Sequence, residues 1–337
     1  MDVPFASSSC PDRAVANSFR GEACRRFAAI DIGTVTCRLL IADVDASGLH
    51  ELRREYAITD LGEGVAASGI LLPEAMARVD VQMARFVEII ETFITLEHPS
   101  IEVIAQATSA SRDARNADEF VALLAARNIE LGVIAGKREA ALCFKGVSSD
   151  FEEEGLIVVD IGGGSTEIIA GIAGRDPLFI HSFDIGCRRV TERFLPSDPP
   201  TTQELHLARA WIVDEMRAVF QQIRALDFSP TRLVAVAGTA TSVVAIDLSL
   251  APYESARVHE AFISRTTLDR ITQRLASLPL AQRREVIGLD PKRAPVIVAG
   301  MLILQVVLDY AGQEGFTVSE SDILQGIILD AAQTVAP

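Results

Sequence analysis

The sequence predicts an α/β protein made of two similar halves around a central cleft. Three observations carry that reading. Residues 28–44 (AAIDIGTVTCRLLIADV) and 157–173 (IVVDIGGGSTEIIAGIA) share one plan: a β-rich apolar run, Asp-Ile-Gly, a small polar turn and a second β-rich run. Each reads as a strand, a tight bend that Gly permits, and a strand. The acids that open the two turns, Asp31 and Asp160, lie 129 positions apart, a spacing of half a chain and not that of a solenoid. After each hairpin, helix-period segments alternate with short apolar β-rich runs, the pattern of sheets covered by helices on both faces.

In chain order, residues 1–26 are small, polar and without periodicity, and read as a disordered extension, with the ordered chain starting near Phe27. After the first hairpin, 73–97 has helical apolar spacing with Pro73 at its start. A strand is expected over 101–106, a helix over 118–127, a strand over 129–135 and a helix over 137–145. Beyond the second hairpin, 201–226 is a long amphipathic helix and 232–237 a strand. That strand leads through the turn Gly238-Thr-Ala-Thr241 into a further helix. The last hundred residues read as mostly helical, and the apolar stretch 294–308 as a core helix, too short to span a bilayer and interrupted by Pro295 and Gln305.

Composition removes several function classes. The 337 residues suffice for about two domains. Apolar residues make up 49% and charged residues 23%, which marks a folded chain. With 31 Lys+Arg against 46 Asp+Glu, the net charge is −15, so nucleic acid and anionic membranes are repelled. Aromatics at 6% leave little for stacking on bases. The five cysteines, Cys10, Cys24, Cys37, Cys143 and Cys187, form no CxxC pair, which argues against a disulfide scaffold and a Cys-type zinc site and for a cytoplasmic location. No secretory signal is expected, because 1–26 lacks an apolar core.

Three turns rich in Gly, Ser and Thr follow strands: Asp31-Ile-Gly-Thr34, Asp160-Ile-Gly-Gly-Gly-Ser-Thr166 and Ala237-Gly-Thr-Ala-Thr241. Such turns can aim successive backbone N–H groups into one concavity and bind phosphate oxygens. The adjoining acids suit Mg²⁺, which takes one or two carboxylates plus phosphates. Neither a P-loop nor a dinucleotide fingerprint is present. Read alone, Asp31 and Asp160 could equally cap their turns, Glu139 could be a solvated carboxylate at a helix start, and Arg112 a surface cation. Arg188 and Arg189 could form a basic lip or plain ion pairs.

The motif Asp160-Ile-Gly-Gly-Gly-Ser-Thr-Glu167 resembles the signature of the exopolyphosphatase / guanosine pentaphosphate phosphohydrolase family, in its short two-domain form. The segments 107–116 (ATSASRDARN), 136–140 (GKREA) and 290–294 (DPKRA) are similar to further family segments. The resemblance implies two actin-like (ribonuclease H-like) domains, the first from 27–136 plus about 319–337 and the second from 137–318. It further implies that Glu139 activates the attacking water, that Asp160 and Glu167 surround it, and that Asp31 and Asp160 hold Mg²⁺. Gly33, Thr34, Gly163, Gly164, Ser165 and Thr166 would cradle phosphates, and Arg112 would touch phosphate or brace the cleft.

The chain departs from the family pattern at Val35, where an amide is usual, at Arg138 and Pro295, where acids are usual, and at Gln325 within a late Arg-Glu-Gly motif. The expected activity is Mg²⁺-dependent release of terminal phosphate from linear inorganic polyphosphate. The alternatives are a guanosine pentaphosphate phosphohydrolase and a catalytically weak phosphate-ligand sensor. A second copy of the chain, giving a homodimer, is the one protein partner left open.

Overall fold

The computed structural model describes residues 24–334. Most of the expected extension, and with it Cys10, lies outside the described residues; the first strand starts at Arg25, two residues ahead of Phe27. The first half runs β1 (Arg25–Ile32), β2 (Thr36–Asp45), β3 (Gly48–Ile58), α1 (Val65–Ser68), α2 (Pro73–Glu91), β4 (Glu102–Ala107), α3 (Ser109–Asp113), α4 (Ala117–Ala125) and β5 (Leu131–Val133). Strands β1, β2 and β3 form an antiparallel meander, and β4 and β5 add in parallel beyond β1, giving the order β3-β2-β1-β4-β5.

The second half begins with α5 (Gly136–Ser148), β6 (Gly155–Ile161), β7 (Thr166–Ile172), β8 (Phe179–Phe183), α6 (Cys187–Phe194), α7 (Thr202–Arg224) and β9 (Arg232–Val236). It continues through α8 (Ala237–Asp247), α9 (Ser255–Val258), β10 (Phe262–Ser264), α10 (Arg265–Ser277), α11 (Leu280–Arg283), α12 (Ile297–Ala311), β11 (Gly315–Val318) and α13 (Ile323–Thr334). Its sheet has the order β10-β11-β9-β6-β7-β8. Read from β8 inward, this repeats the first sheet strand for strand, with β10 added at the far edge. The two Asp-Ile-Gly hairpins therefore head two copies of one topology.

Central strands are buried on both faces, and their sequences follow: six consecutive residues of β1, Phe27 to Ile32, are shielded from solvent. Strand β3, absent from the sequence reading, is the edge of its sheet and carries Glu51, Arg53, Arg54 and Glu55. That charge hides the alternation and protects an unpaired edge. Helix α2 starts on Pro73 as expected, but ends at Glu91 and not near 97. The Thr92 hydroxyl donates to the Ile89 carbonyl, and a turn closes between Thr95 and His98. The segment 237–241 is no loop. It forms the first turn of α8, where Ser242 Oγ donates to the Gly238 carbonyl.

Helices α5 and α13 form the middle layer. Helix α13 packs on β1 and β2 of the first sheet, α5 packs on β6, β7 and β8 of the second, and the two helices pack on each other. One apolar cluster runs through them from Phe27, Leu40 and Val44 to Leu156, Val158 and Val236. The outer faces have their own cores, with α2 and α4 on the first sheet and α7, α8, α10 and α12 on the second. Helix α12 is buried almost all round, as the apolar run 294–308 predicts. Among the described residues, no helix is long and apolar enough to cross a membrane.

Candidate active site

The two hairpin turns face each other across the cleft and close in the same way. Gly33 N–H donates to the Thr36 carbonyl, and Gly162 N–H to the Ser165 carbonyl, at 2.9 and 3.0 Å. The register then sets the pairs behind each turn: Asp31 lies opposite Arg38, and Asp160 opposite Glu167. One copy of the hairpin thus holds an ion pair where the other holds two acids.

The glycine turn is built by close approach. The N–H groups of Cys187 and Arg188, at the start of α6, take the carbonyls of Gly162 and Gly163. Among the described residues, the N–H groups of Gly163 and Gly164 have no backbone acceptor. A Cβ on Gly163 would come 2.5 Å from Val35 Cγ2, and one on Gly164 would come 2.5 Å from Ser109 Oγ and 2.7 Å from Thr34 Oγ1. Glycine is required there because the opposing turn and α3 sit against the backbone. This also accounts for Val35: its side chain packs on Gly163, and its carbonyl accepts from Thr59 and Asp60 N–H.

Between the turns lies a cavity of about 90 Å³, lined by Asp31, Gly33, Thr34, Arg38, Glu139, Asp160, Gly163, Gly164, Ser165 and Arg293, among others. Thr166 is not among its walls. It is fully buried, and its hydroxyl donates to the Ile185 carbonyl. Glu167 and Arg112 lie just behind the lining. Glu167 is buried and accepts from Ser182 Oγ at 2.7 Å. Arg112 is turned toward protein: it donates to the Ile134 carbonyl at 3.1 Å and to Glu139 Oε2 at 3.3 Å. Glu139, in the first turn of α5, is 8% exposed. A solvated surface carboxylate would not be. Arg188 and Arg189 make ion pairs across the cleft mouth, Arg188 with Asp60 and Arg189 with Asp113.

Burial and crowding raise the proton affinity of the acids. Glu139 sits well above the usual carboxylate range, first because it is buried and then because Glu167, Asp160 and Asp31 are all negative; Arg112 opposes them. Burial, and then Asp160, push Glu167 up to about 8, against the hydrogen bonds from Ser182 and Ser165. Asp160 is raised to about 6 by burial, Asp322 and Asp31, with Arg38 opposing. Asp31 is raised by burial despite Arg38.

Arg38 and Asp322 were not singled out from sequence. Arg38 joins Asp31 Oδ2, at 2.7 Å, to Asp322, which precedes α13. The signal for Arg38 is hairpin register, since the turn fixes what faces Asp31. Asp322 is 284 positions from Arg38, and no local pattern reveals it. Asp322 Oδ1 also accepts from Leu324 N–H, and Gln325 Oε1 accepts from Asp322 N–H. Gln325 thus performs a reciprocal cap that a Glu there could also make.

The profile of the Ppx/GppA phosphatase family matches residues 40–335. The chain belongs to that family. It is 38% identical over 323 residues to exopolyphosphatase 2 of Mycobacterium tuberculosis, covering 91% of this chain and 98% of that one. An exopolyphosphatase structure from Cytophaga hutchinsonii superposes with a TM-score of 0.82 at 27% identity, over 93% of this chain and 99% of the other. The Aquifex aeolicus Ppx/GppA enzyme gives 0.75 at 26% identity, over 91% and 100%. The α/β fold of two similar halves around a cleft is shared with these structures, and the chain is an enzyme of a phosphoanhydride-hydrolase family.

Proposed function

We propose that this Ppx/GppA family member is an exopolyphosphatase: with Mg²⁺ it releases the terminal phosphate of linear inorganic polyphosphate, using water activated by Glu139. The observation that carries the reading is a buried carboxylate, Glu139, lining the same cavity as the N–H groups of Gly163 and Gly164, which have no acceptor among the described residues. Phosphoanhydride hydrolysis needs an oriented water, relief of charge on the transferred phosphoryl group and a stabilised leaving phosphate. The raised proton affinity of Glu139 suits a base that takes a proton near neutral pH.

The donors fit a hard divalent cation. Asp31 Oδ2 is engaged by Arg38, but Asp31 Oδ1 accepts no hydrogen bond among the described residues. Both Asp31 and Asp160 border the cavity, where their negative neighbours favour a cation. Asp31 and Asp160 would hold Mg²⁺, which when bound neutralises charge on phosphoryl oxygens. The rest of the work falls to the chain. Thr34 and Ser165 hydroxyls and the Gly163 and Gly164 amides receive phosphate oxygens. Arg112 fixes the Glu139 carboxylate at 3.3 Å. Its contact with Glu139 supports the bracing role over direct phosphate contact. Glu139 takes the proton of the water it orients.

Glu139→Gln keeps the shape and removes the base. We expect turnover to fall by about 10²–10⁴-fold with KM little changed. Phosphate release from polyphosphates of defined length, beside guanosine pentaphosphate, with and without Mg²⁺, measures the effect and the substrate choice together. A wild-type rate for the variant overturns the role of Glu139, and faster hydrolysis of the nucleotide overturns the choice of substrate.

A further inference from the structure

On the rim of the first domain, three donors of different chemistry, none of which lines the cavity, converge. Cys24 immediately precedes β1, Asp43 lies on β2, and His98 lies in the loop between α2 and β4. The thiol, a carboxylate oxygen and an imidazole nitrogen all lie within 4.8 Å of one another. Their convergence follows from strand alternation. Asp43 is the cross-strand partner of Arg26, and Cys24 is two residues before Arg26, so both project on the face of β1 that α2 and its loop cover. The same side faces the backbone turn that fixes His98, whose N–H is held by Thr95 Oγ1 at 3.1 Å and whose carbonyl takes Thr95 N–H at 2.9 Å.

We propose that Cys24, Asp43 and His98 form a zinc site. A thiolate, an imidazole and a carboxylate suit Zn²⁺ and not Mg²⁺. Tetrahedral bonds of about 2.0–2.3 Å put donor atoms roughly 3.3–3.8 Å apart, so a spread of at most 4.8 Å closes with about 1 Å of side-chain movement. The imidazole of His98 makes no hydrogen bond among the described residues, which leaves its nitrogens available. Arg26 donates to both oxygens of Asp43, at 2.7 and 2.8 Å, and to the Phe93 carbonyl. Each carboxylate oxygen keeps a second lone pair, and a hydrogen-bonded carboxylate is the usual form of a metal ligand. The negative charge of Asp43, with Glu97 also near Arg26, offsets the guanidinium, and the Cys24 thiol would give up its proton on binding the metal. Three ligands leave a fourth position for water. The metal would clasp the start of β1 to the loop that follows α2. Because the set spans C-x₁₈-D-x₅₄-H, the absence of a CxxC pair does not bear on it.

The test uses the full chain stripped of metal and titrated with Co²⁺, then Zn²⁺. We expect one equivalent of Co²⁺ to give a thiolate-to-cobalt charge-transfer band that Zn²⁺ abolishes. Cys24→Ser should lose the band, and His98→Ala should bind at least tenfold more weakly. Asp31→Asn, in the cleft, should keep the band at full strength. Zn²⁺ should raise the melting temperature of the wild type and leave that of Cys24→Ser unchanged. The proposal is overturned by a wild type that shows no thiolate band, or by Cys24→Ser and His98→Ala variants that bind as tightly as the wild type.

Discussion

Asp31 meets Arg38 and Asp160 meets Glu167 at matching places in the two hairpins, and this difference polarises the cleft. In the first pair the Arg38 guanidinium opposes the effect of burial on Asp31. The second would place two charges side by side in a buried site, so Glu167 holds its proton up to a pH of about 8. Two consequences can be measured. Glu139 is raised by burial and, wherever Glu167 is ionised, by its charge. Glu167 keeps its proton up to a pH of about 8, so Glu167→Gln should leave the acid limb of the kcat/KM profile in place; a clear shift of that limb to lower pH would mean that Glu167 is ionised beside the base. For stability, a carboxyl whose folded-state proton affinity is raised favours the folded state below its unfolded pKa. That contribution is lost as pH climbs from about 4.5 to about 8. The metal-free protein should melt at a lower temperature at pH 8.5 than at pH 5.5, and Glu167→Gln should flatten the difference. A wild-type melting temperature that instead rises over that interval refutes this.

Among the elements, the crossing of α5 and α13 has the least slack. A Cβ on Gly326 would lie 1.8 Å from the Leu142 carbonyl oxygen, and one on Gly146 would lie 1.9 Å from that of Asp322. Neither neighbour is a flexible side chain that can swing away. Gly326→Ala should cost about 1–3 kcal/mol by overpacking, read as a lower urea midpoint. It should also reduce turnover, since Asp322 anchors Arg38 against Asp31. Unchanged stability would mean that the helices can slide apart freely. The elements legible in sequence were those with a clean period, such as α2, α7 and both hairpins. Strand β3 is not legible because its edge position demands charge. The Gly-Thr segment after β9 reads as a turn, since Gly and Thr suit a loop as well as a helix start. Asp31, Glu139 and Asp160 could be named from motifs because each stands at a fixed offset from a glycine turn or helix start. Asp322 could not, because only the folded chain brings it to Arg38.

At the scale of the molecule, a net charge of −15 opposes a polyanionic substrate. Arg188 and Arg189, the cations at the mouth, are engaged by Asp60 and Asp113. Capture then depends on contacts inside a narrow cavity, at ranges shorter than the Debye length of about 8 Å at physiological ionic strength. Added salt at fixed free Mg²⁺ screens both the outer repulsion and the inner attraction, so polyphosphate affinity should stay nearly flat. A steep log-linear loss, measured by competition binding between 50 and 300 mM salt, would point to an extended basic track. The middle layer bears on how the chain is made. Strands β1 and β2 present one face to α13, which leaves a ribosome only after the whole second half. At roughly 5–20 residues per second, that apolar face waits about a quarter of a minute to a minute for its cover. During synthesis the first domain is a sheet with one side bare, and a chaperone that shields Phe27, Leu40 and Val44 in that interval would decide the yield of folded enzyme.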